Sequence, residues 1–271
     1  MELLDPALSS LRQEPVTLGL SHARVLRLLD SDSTAVAFAK IVDHSAPPHL
    51  ADDLEGEAAR LKWLSALGIP VAKVLAAGTD ITQSWLVTQA LPGRPASDPW
   101  PTSERAAVVD LLAAAARKLH DQPTNDVLTF DGSIPFLLSE IRERVSAGIV
   151  DRAWAAAGKS DTTAASALAE LECLAAAIGK GSQSLCHGDF CLPNVLIAPA
   201  GIVSFVDVGR ASLADPHSDL ADMIRSLRSP MNPQFGPAYA EQFLDSYGRD
   251  RIDPERLRLH DLLESFFWRA P

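Results

Sequence analysis

Residues 185–210 decide the fold of this chain. The segment begins Leu-Cys-His-Gly-Asp-Phe-Cys-Leu-Pro-Asn-Val-Leu-Ile and ends Ile-Val-Ser-Phe-Val-Asp-Val-Gly-Arg. Its acid and amide side chains, Asp189, Asn194 and Asp207, stand next to short runs of strand-forming residues. Pro193 predicts a loop between the first two, and a short hairpin after Asn194 would bring Asp207 back beside it. The pattern therefore predicts one site built from loop and strand-end residues.

These residue types suit the transfer of a phosphoryl group. A carboxylate such as Asp189 can orient an attacking hydroxyl and accept its proton. The oxygen atoms of Asn194 and Asp207 suit Mg²⁺, whereas zinc prefers the His and Cys ligands that this set does not use. Taken singly, the three side chains also fit a turn former, an Asx turn and a strand-end cap, so the prediction depends on their combination. His187 is predicted to hydrogen-bond within the loop and not to act as the base.

A lysine and a glutamate upstream fit the nucleotide side of such a site. Lys40 lies among strand formers, and Glu57 opens a segment with leucines at helical spacing. Kinases hold nucleotide phosphates with a strand lysine that is paired with a helix glutamate. The alternative for Lys40 alone is a solvated lysine on the polar face of a strand. The downstream motif favours the nucleotide interpretation for both residues.

Two further segments are candidates for nucleotide contacts. The turn at residues 18–21 has a single glycine and is therefore not a Walker A loop, yet the Ser21 hydroxyl and nearby amides could donate to phosphate oxygens. An ordinary hairpin turn would use the same residues. The backbone from Gln89 to Leu91, just before the proline-rich residues 92–99, is a candidate hinge for an adenine edge, although a plain linker would look the same.

The composition narrows the class of protein. With 271 residues, of which 47% are hydrophobic, the chain can bury a large core in one domain or in two lobes. A formal net charge of −11 opposes nonspecific binding to nucleic acid or to an anionic membrane. The amino terminus lacks a signal-peptide pattern, no apolar run approaches the roughly 20 residues of a membrane span, and the cysteines form no paired motif. We therefore expect a cytoplasmic protein without nucleic-acid or membrane partners.

The order of the predicted elements indicates an α+β fold. We predict an N-terminal lobe with an antiparallel sheet and one main helix over residues 1–90, a hinge and linker over 91–100, and a larger, mostly helical lobe over 101–271. Thr102 or Ser103 is predicted to cap the first helix of the second lobe. The strands are predicted at residues 16–20, 25–29, 35–42, 71–77 and 84–90, and the helices at residues 57–68, 103–120, 135–148, 163–179, 215–224, 237–247 and 254–268.

Taken together, the motifs resemble the aminoglycoside phosphotransferase family, and within it the bacterial 3′ kinases of the neomycin and kanamycin type. The resemblance implies a two-lobed protein-kinase-like fold. It also implies that the γ-phosphate of ATP or GTP moves, with Mg²⁺, to a hydroxyl of an aminoglycoside, the 3′ hydroxyl, and that this reaction gives antibiotic resistance. It covers nearly the whole chain and is carried by residues 18–21, 40, 57–64, 85–88, 92–93, 187–194, 207–210, 214–215, 219–221, 262–263 and 266–267.

The resemblance implies a role for each candidate residue. Asp189 would be the catalytic carboxylate, and Asn194 and Asp207 would bind Mg²⁺. Contacts to the nucleotide would come from Lys40 under the control of Glu57, from Ser21, and from the backbone at Gln89 and Leu91. The acceptor would lie near two arginines and three acids, which are Arg210, Arg225, Asp151, Asp261 and Glu264.

The acceptor side departs from the family pattern. Residues 152–157 read Arg-Ala-Trp-Ala-Ala-Ala where relatives carry acids, and Ser226 and Ser229 occupy positions that are acidic in some of them. Ser265 stands where relatives carry a glutamate, and residues 268–271 extend beyond the usual end of the family. Acids bind polyamine sugars through charge-assisted hydrogen bonds, so these changes bear on the identity of the acceptor.

Several alternatives for the acceptor therefore stay open. The remaining acids and the overall negative charge would suffice for an aminoglycoside. A less cationic aminoglycoside, another antibiotic, an amino alcohol or a sugar would fit the lost acids. A third alternative, from a different class, is an inactive nucleotide-binding scaffold. The sequence does not specify an oligomeric state.

Overall fold

The structure is a computed structural model, and it describes residues 8, 10–16, 23–45, 53–123, 130–156 and 163–267. Contacts divide the described residues into two compact units. The first unit is drawn from residues 1–94 and 196–209, and the second from residues 95–195 and 210–271. The division predicted from the sequence, at residues 1–90, 91–100 and 101–271, stays a prediction, and it differs from the contact grouping in assigning residues 196–209 to the second lobe.

The first unit contains a five-stranded antiparallel sheet in the order β1-β2-β3-β5-β4. Three of the five strands begin and end within two residues of their predicted positions, and β4 begins later than predicted, at Val74. The strands are β1 (Arg12–Val16), β2 (Arg24–Leu29), β3 (Ala35–Asp43), β4 (Val74–Thr79) and β5 (Gln83–Gln89).

The central strand β3 separates an apolar face from a functional one. Ala37, Ala39 and Ile41 alternate along β3 and are buried in the core of the sheet. The same alternation turns Lys40 to the other face, and there it meets helix α1 (Leu54–Ala66), which carries Glu57. The alternation of side chains along β3 therefore determines both which residues are buried in the core and which face carries Lys40.

Two predicted boundaries in this unit are wrong for identifiable reasons. The first strand covers Arg12–Val16, and residues 17–20 of the predicted strand lie outside the described residues. Pro15 argues against a strand in sequence, but β1 is an edge strand, where a proline is tolerated. Helix α1 begins before Glu57 because the side chain of Asp53 caps it by accepting a hydrogen bond from Gly56 N at 2.8 Å.

The second unit is mainly helical. Five of its helices match the predicted ones to within two residues at each described end, and the predicted helix 215–224 runs from His217 to Arg228. Its described helices are α2 (Thr102–His120), α3 (Ile134–Ser146), α4 (Ile149–Ala156), α5 (Ala164–Ile178), α6 (His217–Arg228), α7 (Pro237–Tyr247) and α8 (Pro254–Phe267).

Two small sheets frame the segment that contains Asp189. One sheet has the order β7-β11-β8, and the other has the order β10-β9-β6. Their strands are β6 (Arg94–Pro95), β7 (Asp131–Gly132), β8 (Ser184–Cys186), β9 (Val195–Ala198), β10 (Ile202–Phe205) and β11 (Ser212–Ala214).

Four helices of the second unit, α3, α4, α5 and α8, pack around one apolar cluster. Leu171 and Leu259 are fully buried there, and Trp154 and Phe266 stack with ring centroids 5.3 Å apart. The predicted side-chain cap of α2 is wrong, because the N-cap is Pro101 and makes no side-chain hydrogen bond. No helix among the described residues has the length and apolar character that crossing a membrane requires.

A buried ion pair joins α6 to α8. Asp215 Oδ2 accepts a hydrogen bond from Arg256 Nη1 at 2.6 Å, and Asp215 Oδ1 accepts one from His217 Nδ1 at 2.6 Å. His217 Nε2 in turn accepts from Asp253 N at 2.9 Å, which fixes the neutral tautomer that carries its proton on Nδ1. Burial alone raises the pKa of Asp215, but the hydrogen bond from His217 and the nearby His260, whose Nε2 lies 3.7 Å from Asp215 Oδ2, lower it well below its ordinary value.

Replacing this carboxylate should destabilise the fold. We expect Asp215→Asn to lower the free energy of unfolding by about 3–5 kcal/mol, because Arg256 would keep a buried charge without its partner. Urea denaturation at pH 7 measures the change. Asp245→Asn removes a carboxylate from an exposed ion pair with Arg249 and should leave the free energy of unfolding nearly unchanged.

The pH dependence of the difference in unfolding free energy between the wild type and Asp215→Asn gives a second measurement. A depressed pKa stabilises the folded state above the unfolded pKa of about 3.9, and that contribution is lost as the pH falls through the folded pKa. The gap between the wild type and Asp215→Asn should therefore be constant between pH 7 and about pH 5 and shrink below about pH 4. An Asp215→Asn variant as stable as Asp245→Asn would contradict this account.

Candidate active site

Lys40 is the centre of an ion-pair group in the first unit. Its Nζ donates to Glu57 Oε1 at 2.8 Å, to Glu57 Oε2 at 2.9 Å and to Asp207 Oδ1 at 2.7 Å. Burial lowers the pKa of Lys40, but the charges of Asp207 and Glu57 raise it by more, so the net shift is upward. The lysine is therefore charged at neutral pH, and the predicted pairing of Lys40 with Glu57 is confirmed.

Asp207 has a left-handed backbone conformation. Its φ is +57°, in a region that costs most L-residues about 1–2 kcal/mol and that Asp and Asn tolerate better. The residue follows the hairpin of β9 and β10, and its backbone bend turns the carboxylate onto Lys40 Nζ. Residues held in such conformations are concentrated at functional sites.

The chain at the end of β5 is fixed by backbone hydrogen bonds. Gln89 N donates to Lys73 O at 2.9 Å, and Ala90 N donates to Val36 O at 3.0 Å. Leu91 follows directly on this ordered segment. The hinge role of Gln89 and Leu91 stays a prediction, and Ser21 lies outside the described residues.

In the second unit, Asn194 holds the carboxylate of Asp189. The Nδ2 of Asn194 donates to Asp189 Oδ2 at 2.9 Å and to the Asp189 backbone O at 3.0 Å. Asn194 ends a 3₁₀ turn that begins at Leu192 and contains Pro193, so the proline predicted to break the segment sets this turn. The amide nitrogen is committed to Asp189, and the carbonyl oxygen is the atom with which Asn194 would bind a cation.

A buried carboxylate clamps the loop that carries Asp189. Asp219 Oδ2 accepts from His187 N at 2.8 Å and Asp219 Oδ1 accepts from Gly188 N at 2.9 Å. The same carboxylate contacts His120 Nε2 at 3.1 Å, and His120 Nδ1 contacts the hydroxyl of Tyr247 at 2.9 Å. Burial raises the pKa of Asp219, but the hydrogen bond and charge of His120 lower it by more. Asp219 is therefore the brace of the loop that carries Asp189.

Cys186 lies beside this brace without joining a metal site. Its sulfur lies within 4.8 Å of ligand atoms of His120 and Asp219, and these residue types can bind metals. Burial raises the pKa of the Cys186 thiol well above its usual range, and the thiol donates to Ala214 O at 3.6 Å. Both nitrogens of His120 and both oxygens of Asp219 have protein partners. We therefore interpret the three residues as a packed, hydrogen-bonded group.

Gly188 cannot be replaced by a larger residue in this loop. Its φ is +79°, and a Cβ at this position would come within 2.3 Å of the Arg210 backbone O. The loop thus passes close against the backbone of the segment that follows Asp207. His187 Nδ1 accepts from Asp189 N at 3.3 Å, which agrees with its predicted place in the hydrogen bonding of the loop.

Arg210 binds the C-terminal helix α8. Its Nη1 and Nη2 donate to Glu264 Oε1 and Oε2 at 3.3 and 3.1 Å, a bidentate pair. The guanidinium also lies over the ring of Phe267, 5.3 Å from the centroid. The structure therefore brings two of the predicted acceptor-side residues into direct contact.

Arg225 bridges two carboxylates. Its Nη1 donates to Asp261 Oδ1 at 2.8 Å, and its Nη2 donates to Asp222 Oδ1 at 2.5 Å. The pKa of Asp222 is raised by burial and by the charges of Glu264 and Asp189, and Arg210 and Arg225 offset only part of this. Asp222 thus lies among the predicted acceptor-side residues although sequence reasoning missed it.

The signal for Asp222 in the sequence was weak but present. Asp222 lies on a predicted helix and precedes Arg225, just past its predicted end, by three residues, the spacing at which helical side chains of opposite charge pair. It also interrupts a run of buried residues that includes Leu220, Ala221 and Met223. A carboxylate in such a run needs an explanation, and its proximity to Asp189 becomes visible only in the fold.

Asp151 has a different environment from the other predicted acids. Its Oδ1 accepts from Ala164 N at 3.0 Å, at the start of α5, and the described residues give it no contact with Arg210 or Arg225. Ser226 stands where an acid was expected from the family pattern, and its Oγ accepts from Leu192 N at 3.0 Å. The serine therefore supports the turn that leads to Asn194.

Comparison with known proteins assigns this geometry to a family. A model of the phosphotransferase enzyme family matches residues 12–260. The chain is 42% identical over 232 residues to an aminoglycoside 3'-phosphotransferase of Streptomyces fradiae, covering 85% of each chain.

Solved structures give the same assignment. The crystal structure of an aminoglycoside-3'-phosphotransferase of type VIII superposes with a TM-score of 0.78 at 36% identity, covering 94% of this chain and 93% of the other. Aminoglycoside phosphotransferase APH(3'')-Id from Streptomyces rimosus, in complex with ADP and streptomycin, gives a TM-score of 0.69 at 28% identity and coverages of 94% and 92%. These neighbours confirm the predicted two-lobed, kinase-like α+β fold. The chain therefore belongs to the phosphotransferase enzyme family, in its aminoglycoside phosphotransferase group.

Proposed function

We propose that this protein transfers the γ-phosphate of ATP, or of GTP, to the 3′ hydroxyl of an aminoglycoside and so gives resistance to the antibiotic. The observation that carries the proposal is the Asp189 carboxylate, which Asn194 holds at 2.9 Å in a loop clamped by Asp219. The name of the Streptomyces fradiae relative supports the 3′ position, and the ADP and streptomycin bound to the Streptomyces rimosus protein support the two substrates.

Asp189 would orient the acceptor hydroxyl and accept its proton. The hydrogen bond from Asn194 fixes one carboxylate oxygen, and the clamped backbone of His187 and Gly188 fixes the loop from which the side chain projects. Positioning of this kind supplies much of the rate enhancement in phosphoryl transfer, since the transition state needs little covalent chemistry from the protein.

The nucleotide would be held by residues of the first unit. Lys40 would donate to its phosphates, because Glu57 keeps the ammonium charged and directed from a buried position. Adenine would hydrogen-bond with the backbone at Gln89 and Leu91, and Ser21 would donate to the phosphates. Binding of an ATP-type nucleotide follows from membership of the phosphotransferase family.

The oxygen donors of Asn194 and Asp207 fit Mg²⁺. An amide oxygen and a carboxylate oxygen are hard ligands, and Lys40 Nζ already places a positive charge 2.7 Å from Asp207 Oδ1. We propose that these two side chains bind the ion, which would neutralise charge on the phosphates.

The acceptor would be held by acids and arginines of the second unit. Asp261 and Glu264 would accept charge-assisted hydrogen bonds from its amino groups, while Arg225 and Arg210 keep these carboxylates oriented. Asp151 would contribute from the start of α4. The serines at positions 226 and 229 favour a second candidate, in which the acceptor carries fewer positive charges.

Turnover of a panel of acceptors tests the proposed reaction. We expect the purified protein with ATP and Mg²⁺ to phosphorylate an aminoglycoside with a 3′ hydroxyl in preference to streptomycin, an amino alcohol or a simple sugar. Mass spectrometry of the product gives the position of the phosphate. Preference for the amino alcohol or the sugar would support the second candidate, and no transfer to any acceptor would support an inactive scaffold.

Removing the carboxylate of Asp189 should abolish most of the activity. We expect Asp189→Asn to lower kcat by about 10²–10⁴, because the variant keeps an acceptor for Asn194 but cannot accept the proton. Steady-state kinetics measure the loss, and Asp245→Asn serves as the charge-matched control. An Asp189→Asn variant within about twofold of the wild type would contradict the role of the base.

Two variants of Asp207 separate the effect of its carboxylate charge from the effect of its left-handed backbone conformation. Both Asp207→Asn and Asp207→Ala remove the carboxylate and should lose transfer by at least about 10²-fold. Only asparagine suits φ +57°, so we expect Asp207→Ala to be less stable than Asp207→Asn by about 1–2 kcal/mol in urea denaturation. Turnover at the wild-type rate in Asp207→Asn would exclude the carboxylate as a cation ligand, and equal stability of the variants would exclude the backbone argument.

A further inference from the structure

Asp222 is a carboxylate of the second unit that the transfer reaction, as described so far, does not use. It lies on α6, and its side chain is only 11% exposed. Its hydrogen bond goes to Arg225, whose side chain is 38% exposed and also binds Asp261. The acid is thus more deeply buried than the arginine that neutralises it, which is unusual for an ion pair between neighbouring turns of a surface helix.

The groups around Asp222 carry an excess of negative charge. Asp189 and Glu264 lie close enough to raise its pKa, and Asp261 shares the same arginine. Arg210 is held by both oxygens of Glu264. Four carboxylates therefore face two guanidiniums, and neither guanidinium is available to Asp222 alone.

This arrangement is unfavourable in the unliganded protein. A buried carboxylate needs a full counter-charge, and repulsion between neighbouring acids adds to its loss of hydration. A ligand cation would supply the missing charge. Groups that destabilise the free protein in this way are frequent at binding sites, where the ligand relieves the repulsion.

We propose that Asp222 is a specificity-determining residue that binds a protonated amino group of the acceptor, next to the hydroxyl that Asp189 orients. The inference rests on the proposed function and names a residue that selects the acceptor. Asp222 stands one turn before Ser226, on the helix where an acid was expected and a serine supports the loop instead. A carboxylate at position 222 would supply the negative charge that position 226 lacks.

The alternative is a structural role in which Asp222 only orients Arg225. The two roles predict opposite changes in stability. If Asp222 orients Arg225 for the sake of the fold, Asp222→Asn should lower the urea midpoint. If Asp222 instead binds a cationic group of the acceptor, Asp222→Asn removes a carboxylate that neighbouring acids repel. The urea midpoint should then stay unchanged or rise.

Kinetics of Asp222→Asn test the proposal directly. We expect the KM for an aminoglycoside to rise by about 10–100-fold, as for the loss of one charge-assisted hydrogen bond. The KM for ATP should stay within about twofold of the wild-type value, because the nucleotide contacts lie in the first unit. Calorimetric titration of the full chain with the aminoglycoside, without nucleotide, should show the same loss of affinity. Asp245→Asn is the charge-matched control and should leave both constants unchanged.

A second variant and a second set of acceptors keep the test decisive. Asp222→Leu removes the charge with a side chain suited to the buried position, and it should show the same rise in KM. Pairs of aminoglycosides that differ by one amino group replaced with a hydroxyl locate the contact. The wild type should prefer the amino form at one position, and both variants should lose this preference.

Three results would overturn the inference. An unchanged KM for the aminoglycoside in both variants would show that Asp222 does not contact the acceptor. A lowered urea midpoint with unchanged affinity would show that Asp222 has only a structural role. Undiminished preference for every amino form would exclude it as the selecting group. Each of these results leaves phosphorylation by the wild type intact, whereas a wild type that phosphorylates no aminoglycoside would overturn the proposed function together with this inference.

Discussion

The geometry of the acid and amide pair depends on the clamp that Asp219 applies to the loop before them. One buried carboxylate accepts the backbone N–H groups of His187 and Gly188 and is itself held by His120. Hydrogen bonds to an ionised acceptor are stronger than neutral ones, and burial excludes competing water. The carboxylate of Asp219, on a helix more than thirty residues away in sequence, therefore fixes the position of the loop and with it the position of Asp189.

The charged clusters of the two units each contain more carboxylates than cations, but they shift the pKa of different groups. In the first unit, Lys40 hydrogen-bonds Glu57 and Asp207, and their negative charges stabilise its ionised form. In the second unit, burial and then repulsion by Glu264 and Asp189 raise the pKa of Asp222, and the two nearby arginines offset only part of this. Negative charge placed where a cationic acceptor would bind is consistent with an overall charge of −11, which also favours the approach of cations.

Features that depend on local pattern could be predicted from the sequence. Alternation in β3 located Lys40 on the functional face, helical spacing located Glu57, and Pro193 located the turn that ends at Asn194. Asp222 could not be found in this way, because its relation to Asp189 is set by how α6 packs and not by their separation along the chain. A division based on chain order likewise does not show that residues 196–209 group by their contacts with the first unit, and that division stays a prediction.

Pro15 in the edge strand β1 has a consequence for the behaviour of the molecule in concentrated solution. An edge strand exposes backbone donors and acceptors that can pair with the edge of another molecule, and such pairing starts aggregation. Proline lacks the N–H group and is tolerated where that side of the strand faces away from its partner. The residue that made β1 hard to recognise in the sequence thus interrupts the row of donors through which two molecules would join their sheets.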